Sequence, residues 1–307
     1  MNRMPHQVNI VVLAITLSVF ALPAFAEAKP EFSVPFTWSS PGHVMVDAVI
    51  NDTWEISMAV DTGAQYGLLP EIAVEKLGIK PDDVSIQHAM TATDTREVRF
   101  TQVNSIAVGG YKIENQNVLL LDMDHLDETN EVSTGVLPVT FINQFNVHFD
   151  LANQRLEFYD KETDVGEYLD LNNYAEVSYQ SIYGFIKFPV QINDQMIQAV
   201  LDTGASGNPI INWQAANMLG VEKDNVKLEQ GRHIQGAGKH KYQTQEYAFE
   251  RFRIGGIDLP ATTIDIFDMP HFKQLLGKGP AANVGLSSLG PISLLVDYEN
   301  QRLFLGT

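Results

Sequence analysis

Two aspartates in this chain, Asp61 and Asp202, open the same four-residue word, Asp-Thr-Gly-Ala. Each word closes an apolar run: Met58, Ala59 and Val60 before the first, Ala199, Val200 and Leu201 before the second. A carboxylate at the end of a buried strand is costly unless it has donors or a task. Asp, Thr and Gly also favour turns, so either word alone reads as a capped turn. Two copies at matching places of a repeat suggest more. Lobes related by a pseudo-twofold axis bring equivalent loops together at that axis, and the two carboxyls then face each other. Such a pair does not ionise twice easily and shares one proton. One carboxylate can act as base on a water, and the other as acid on the carbonyl under attack. That chemistry hydrolyses an amide with neither a metal nor a covalent intermediate. Thr62 and Thr203 can hydrogen-bond across the axis, and Gly63 and Gly204 let the backbone approach the carboxylates and donate to them.

The rest of the chain repeats as well. "GHVMVDAVIND" (Gly42 to Asp52) answers "GFIKFPVQIND" (Gly184 to Asp194), each alternating like a strand that enters a hairpin. "LLPEIAVEKLGI" (Leu68 to Ile79) answers "IINWQAANMLGV" (Ile210 to Val221), each a short helix closed by Gly78 or Gly220. "VGGYKIENQNVLLLD" (Val108 to Asp122) answers "IGGIDLPATTIDIFD" (Ile254 to Asp268), and "FDLANQRLEF" (Phe149 to Phe158) answers "VDYENQRLFL" (Val296 to Leu305). Short strands with glycine turns predict an all-β protein of two similar lobes with a cleft between them. The expected divisions are 1–26 as a signal peptide, 27–41 as an N-terminal segment, 42–159 as lobe one, 160–175 as an acidic, Asn-rich linker and 176–307 as lobe two. Whether Glu27 to Ser40 is a removable pro-segment or a structural strand is open at this stage.

The signal expectation rests on Arg3 in a short polar start, the apolar run Val8 to Leu22, Pro23, and the small residues Ala24 to Ala26. The run is short for a spanning helix, which needs about 20 residues; an uncleaved anchor is the rival. The chain has no cysteine, which rules out thiol catalysis and lipid attachment at a cleavage site. Cleavage after Ala26 and a periplasmic or secreted protein with no stable membrane insertion are expected. The net charge of −18 disfavours nucleic acid as a partner. The eight histidines show no metal-binding spacing, so neither a metal nor another cofactor is expected. "GAGKH" (Gly236 to His240) lacks the spacing and the hydroxyl residue of a phosphate loop, and "GASGN" around Ser206 fails the GxSxG pattern.

On Val60 to Ala64 and Leu201 to Ala205 the chain resembles the retropepsin-like aspartic proteases, in a duplicated single-chain arrangement that pepsin-like enzymes also show. The resemblance spans about residues 42 to 159 and 184 to 305, and it implies two similar β-barrel lobes with an active-site cleft between them. The family's second motif, two apolar residues and a glycine, is matched loosely by Asn283, Val284 and Gly285, and in lobe one by Val136, Leu137 and Pro138. Pro138 departs from the pattern, since proline fixes φ and removes a donor. Gln65 and Ser206 stand where many relatives carry an acidic or small polar residue that holds substrate backbone. The resemblance implies Asp61 and Asp202 as the catalytic pair, Thr62, Gly63, Ala64, Thr203, Gly204 and Ala205 as loop support, a protein or peptide substrate and a monomer. It also implies a flap hairpin in each lobe, near His88 to Phe100 with Thr93 and Asp94, and near His233 to Gln243 with Gly236 and Gly238.

The residue reading leaves rivals. A peptide-binding module that kept the cleft and lost catalysis would not require both aspartates. A glycosidase also pairs carboxylates, but with unequal roles and usually aromatic platforms; Trp38, Trp54 and Trp213 are dispersed. Ala64 and Ala205 carry a further expectation. Relatives that work in strong acid commonly have Ser or Thr there, whose hydroxyl donates to a carboxylate and lowers its pKa. Alanine cannot donate, so activity is expected in a weakly acidic to near-neutral window.

Overall fold

The structure, a computed structural model, describes residues 29–80, 83–91, 93–121, 134–237, 240–260 and 262–306. The expected signal peptide lies outside these residues. Among the described residues strands dominate, with four short α-helices: Ala73–Lys76, Val139–Ile142, Trp213–Met218 and Pro270–Leu275. The chain forms two lobes of matching plan. In each, an alternating hairpin, Val44–Ile50 with Trp54–Asp61 or Phe185–Ile192 with Gln195–Leu201, carries its last strand into the middle of a sheet. A later strand pairs with it in parallel, Thr134–Pro138 in lobe one and Ala281–Val284 in lobe two. The alternation seen in the sequence becomes burial: Phe185–Ile192 alternates buried and half-buried residues along its whole length. Gly78 and Gly220 close their helices at φ +63° and +82°.

A third sheet joins the lobes. Its six strands run in the order Phe32–Pro35, Arg155–Tyr159, Asn146–Asp150, Leu294–Asp297, Arg302–Gly306 and Tyr174–Ser178. The seam is the pairing of Val147 with Val296, His148 with Leu295 and Phe149 with Leu294. The repeated Asn-Gln-Arg-Leu words are its hairpin turns. Asp150 and Asp297 accept the N–H of Asn153 and Asn300, and Gln154 and Gln301 take φ of +50° and +53°. The side chain of Asp297, fully buried, is held by Arg302 at 2.7 Å.

This sheet also explains the repeated Gly-Gly pairs. A Cβ on Gly109 would run into Val34 and Phe32, and one on Gly255 would come within 2.7 Å of Val177. The outer strands of the joining sheet therefore lie directly on the two glycine turns, both of which also need positive φ, +61° and +58°. Phe32 further stacks on Phe158 and Tyr111 and meets Phe145 edge-on, so residues 32–35 form part of the lobe-one core as a structural strand. Between the lobes, residues 160–173 carry two single turns of 3-10 helix, at Val165–Glu167 and Leu171–Asn173, each capped by an aspartate side chain.

Candidate active site

The two central strands end on Asp61 and just before Asp202, and their loops meet crosswise. The Thr62 N–H donates to Thr203 Oγ1 at 2.9 Å, and the Thr203 N–H donates to Thr62 Oγ1 at 3.1 Å. Each hydroxyl then donates across the axis, Thr62 Oγ1 to the Leu201 carbonyl at 2.9 Å and Thr203 Oγ1 to the Val60 carbonyl at 2.7 Å. Both threonines are buried. A hydroxyl accepts and donates at once, and this arrangement uses both capacities in both residues. Valine has the same shape and would leave four buried groups without partners.

Threonine locking brings the carboxyls together. Asp61 and Asp202 face each other, the Gly63 N–H donates to Asp61 Oδ1 at 2.6 Å, and the Gly204 N–H lies beside the Asp61 carboxyl. Each glycine faces the opposite lobe's aspartate. A Cβ on Gly204 would land on the Asp61 carboxylate, and one on Gly63 would come within 2.7 Å of Asp202 Oδ1. The Asp61 carboxyl is pushed well above the usual carboxylate range, chiefly by burial and next by the charge of Asp202, while the two glycine N–H groups pull it down. On Asp202 the side chain of Asn283 donates Nδ2–H to Oδ2 at 2.9 Å. Such a pair can hold one proton and one negative charge across a site open to a cleft.

That cleft measures about 750 Å³ and is lined from both lobes. Its lobe-one wall carries an apolar patch: Tyr66, edge-on to Phe100, with Leu119 and Leu121. The lobe-two wall is partly charged: Arg232 donates Nε–H at 2.6 Å to Asp265, which is fully buried and also accepts the Thr244 hydroxyl. Strand registers place Asp265 where lobe one has Leu119, since Asp265 pairs with Ile210 and Leu119 with Leu68. His271, from the Pro270–Leu275 helix, also lines the cleft; burial lowers its pKa, opposed by the charge of Asp202.

The sequence-predicted residues fall as follows. Asp61, Gly63, Ala64, Asp202, Gly204 and Ala205 line the cleft with the buried Thr62 and Thr203 beneath them, and Gln65 and Ser206 flank the pair on either side. Both expected hairpins exist. Ser85–Met90 pairs with Thr95–Val108, and Glu229–Gln235 with Lys241–Ala248. Thr93 and Gly236 line the cleft. Asp94 is not part of that lining; it holds the tip of its hairpin together, paired with Arg96 at 2.6 Å and accepting the Thr91 hydroxyl. Arg96 accordingly keeps the Asp94 carboxyl below its usual range. Gly238 lies outside the described residues. Pro138 ends its strand opposite Asp61 at φ −80°, a value its ring favours, and Asp61 keeps its loop hydrogen bond. Asn283, His271 and the Arg232–Asp265 pair were not anticipated as site residues. For Asn283 a signal existed, an amide where the resemblance calls for an apolar residue.

A family model described as aspartyl protease matches this chain twice, over residues 46–141 and 188–284. Among solved structures, a retropepsin-like aspartic protease from Rickettsia conorii is 20% identical, over 41% of this chain and 90% of that chain, with a TM-score of 0.32. No curated protein matches.

Proposed function

The chain belongs to the aspartyl protease family, and from that premise we propose that it is an aspartic endopeptidase with Asp61 and Asp202 as its catalytic pair. The observation that carries this reading is the Asp61 carboxyl, half-buried at the floor of the cleft, set against a second carboxyl and its pKa raised well above the usual range. A water between the carboxyls is deprotonated by one of them while the other protonates the peptide carbonyl. The substrate is a peptide stretched along the cleft beneath the two hairpins, its backbone meeting Gln65 and Ser206. Both half-sites come from one chain, so the active species is a monomer. The missing hydroxyls at Ala64 and Ala205 and the raised Asp61 support a working range from weakly acidic to near neutral. The leader-like residues 1–26 and the absence of cysteine support a periplasmic or secreted location after cleavage at Ala26.

The peptide-binding alternative drew on Pro138; the loop hydrogen bond that Asp61 keeps beside that residue favours the peptidase reading. Incubating a peptide library with the mature chain and with its Asp61→Asn variant tests the proposal. Internal cleavage by the first and none by the second is expected. Peptide binding without cleavage by the wild type would instead leave a binding module.

A further inference from the structure

Arg232 enters the cleft from a place that lobe one does not have. The lobe-one hairpin keeps an unbroken register, from Ser85 opposite Phe100 to Met90 opposite Thr95. In lobe two Gln230 faces Gln245, and pairing resumes with His233 opposite Gln243. One strand has advanced a residue further than the other across Gly231 and Arg232. A β-bulge of this kind re-aims a side chain. Gly231 has no room for a Cβ, which would strike the Thr244 hydroxyl and come within 2.8 Å of Asp265 Oδ1. Gly207 admits the guanidinium in the same way, since a Cβ there would sit 2.8 Å from Arg232 Cζ. Arg232 donates Nε–H to the buried Asp265 at 2.6 Å and Nη2–H to the Asn208 carbonyl at 3.2 Å. Neither bond uses Nη1, and the side chain, 31% exposed, lines the cleft.

An ion pair of this kind is a poor source of stability compared with apolar residues of similar volume. Lobe one does without it, placing Leu119 where Asp265 stands. The charge of the cleft suggests what the pair does instead. The chain carries a net charge of −18. Yet among the described residues the cleft lining has no carboxylate besides Asp61 and Asp202. Its basic side chains are Arg232, Lys241 and the histidines 43, 88, 233 and 271. Asp265 balances the charge of Arg232, and Lys241, on the other strand of the same hairpin, adds an exposed ammonium.

We propose that Arg232 sets substrate specificity by receiving an acidic side chain, Glu or Asp, of a peptide bound in the lobe-two half of the cleft. This rests on the peptidase reading above and narrows its substrates to peptides with a carboxylate at one position near the cleaved bond. Asp265 holds Nε and so fixes the plane of the guanidinium before the peptide arrives, which reduces the ordering cost of binding. The incoming carboxylate accepts from Nη1 in a charge-assisted hydrogen bond. Lys241 adds attraction from the same hairpin without a fixed geometry.

The test uses matched peptides that differ only by Glu or Gln, moved one position at a time along either side of a cleaved bond. Each pair is read as a ratio of kcat/KM and, with the scissile amide reduced so that it cannot be cleaved, as a ratio of Kd by calorimetry. The proteins are wild type, Lys241→Gln, and Arg232→Met combined with Asp265→Leu, which copies Leu119 and strands no buried charge. Wild type should favour Glu by about tenfold or more at one position, the scale of one hydrogen bond to a charge. The double variant should bring that ratio close to one, and Lys241→Gln should keep most of it. A wild type with no Glu preference at any position overturns the proposal. So does a preference that survives in the double variant or vanishes in Lys241→Gln. If the double variant does not fold, the wild-type and Lys241→Gln ratios decide by themselves. Tighter binding of the Glu analogue without cleavage of any peptide would end the peptidase reading and keep the recognition. Cleavage with no Glu preference would do the reverse.

Discussion

The two lobes write the same Asp-Thr-Gly-Ala and back it differently. Behind the lobe-one loop the chain passes through Pro138, and the next residue, Val139, donates its N–H to the Ala64 carbonyl at 2.9 Å. Behind the lobe-two loop it passes through Gly285, where a Cβ would land on the Ala205 carbonyl oxygen. Lobe one offers Asp61 a valine and the cleft an aromatic wall; lobe two offers Asp202 an amide and the cleft a guanidinium on a buried aspartate. What stayed identical is what the axis uses twice, namely the threonines, the glycines and the carboxyls. What diverged touches only one side. Duplication therefore constrains this fold most where each copy completes the other.

The sharpest way to break the comparison is to remove one carboxyl. Asp61→Asn and Asp202→Asn should each lower kcat by about 10³-fold or more while near-isosteric replacement keeps the circular dichroism spectrum. Appreciable activity in either would end the shared-proton scheme. Asp61→Asn should also change how stability depends on pH. The native Asp61 holds its proton to higher pH than the unfolded chain, whose aspartate titrates near 3.8. Between those two values the native state binds more protons, so wild-type stability falls as pH rises. Asparagine does not titrate. The variant should thus gain on the wild type through that window and lose the advantage in stronger acid. Urea unfolding at pH 3 and pH 7 reads the difference, and equal gaps at the two values would contradict the raised Asp61.

Next in size is the threonine lock. Thr62→Val and Thr203→Val should each cost about 1–3 kcal/mol of stability, because each strands buried donors and acceptors. Their costs should not add, since they dismantle one network. Strict additivity in a double mutant would mean that the lobes are held independently there.

A smaller, one-sided effect should appear behind the loops. Gly285→Ala should destabilise by about 1–3 kcal/mol through its contact with the Ala205 carbonyl, and Pro138→Gly by about 1 kcal/mol or less through added freedom of the unfolded chain. Reversal of that order by thermal unfolding would show that the two backings are interchangeable after all. The mildest change is Ala64→Ser with Ala205→Ser, which supplies the missing donors. The acid limb of kcat/KM should move down by less than about one pH unit. No movement would show that these hydroxyls do not reach the carboxyls in this backbone.

Much of this was legible in sequence for a physical reason. The Asp-Thr-Gly-Ala words, the alternating hairpins and the helix-closing glycines are local patterns, and each is fixed by the chemistry of a few neighbouring residues. The joining sheet was not legible, because nothing near Val147 announces that its partner is Val296. The repeated Asn-Gln-Arg-Leu was visible, yet its meaning as paired turns of one shared sheet depends on that distant register. The Arg232–Asp265 pair was hidden in the same way: Asp265 sits inside an apolar strand and only the fold supplies its cation. Asn283 was in plain view in the motif, but an amide among apolar residues acquires a role only when Asp202 is known to lie within reach.

The joining sheet has a consequence for how the protein is made. Its strand Arg302–Gly306 lies far along the sequence from the lobe-one strands of the same sheet, and its neighbours begin at Tyr174 and Leu294. Pairings this far apart along the chain form slowly, since closing the intervening loop costs entropy before any contact repays it. The seam between the lobes is therefore expected to close after the hairpins within each lobe. Until it closes, each lobe holds its own Asp-Thr-Gly-Ala loop without the partner loop set against it.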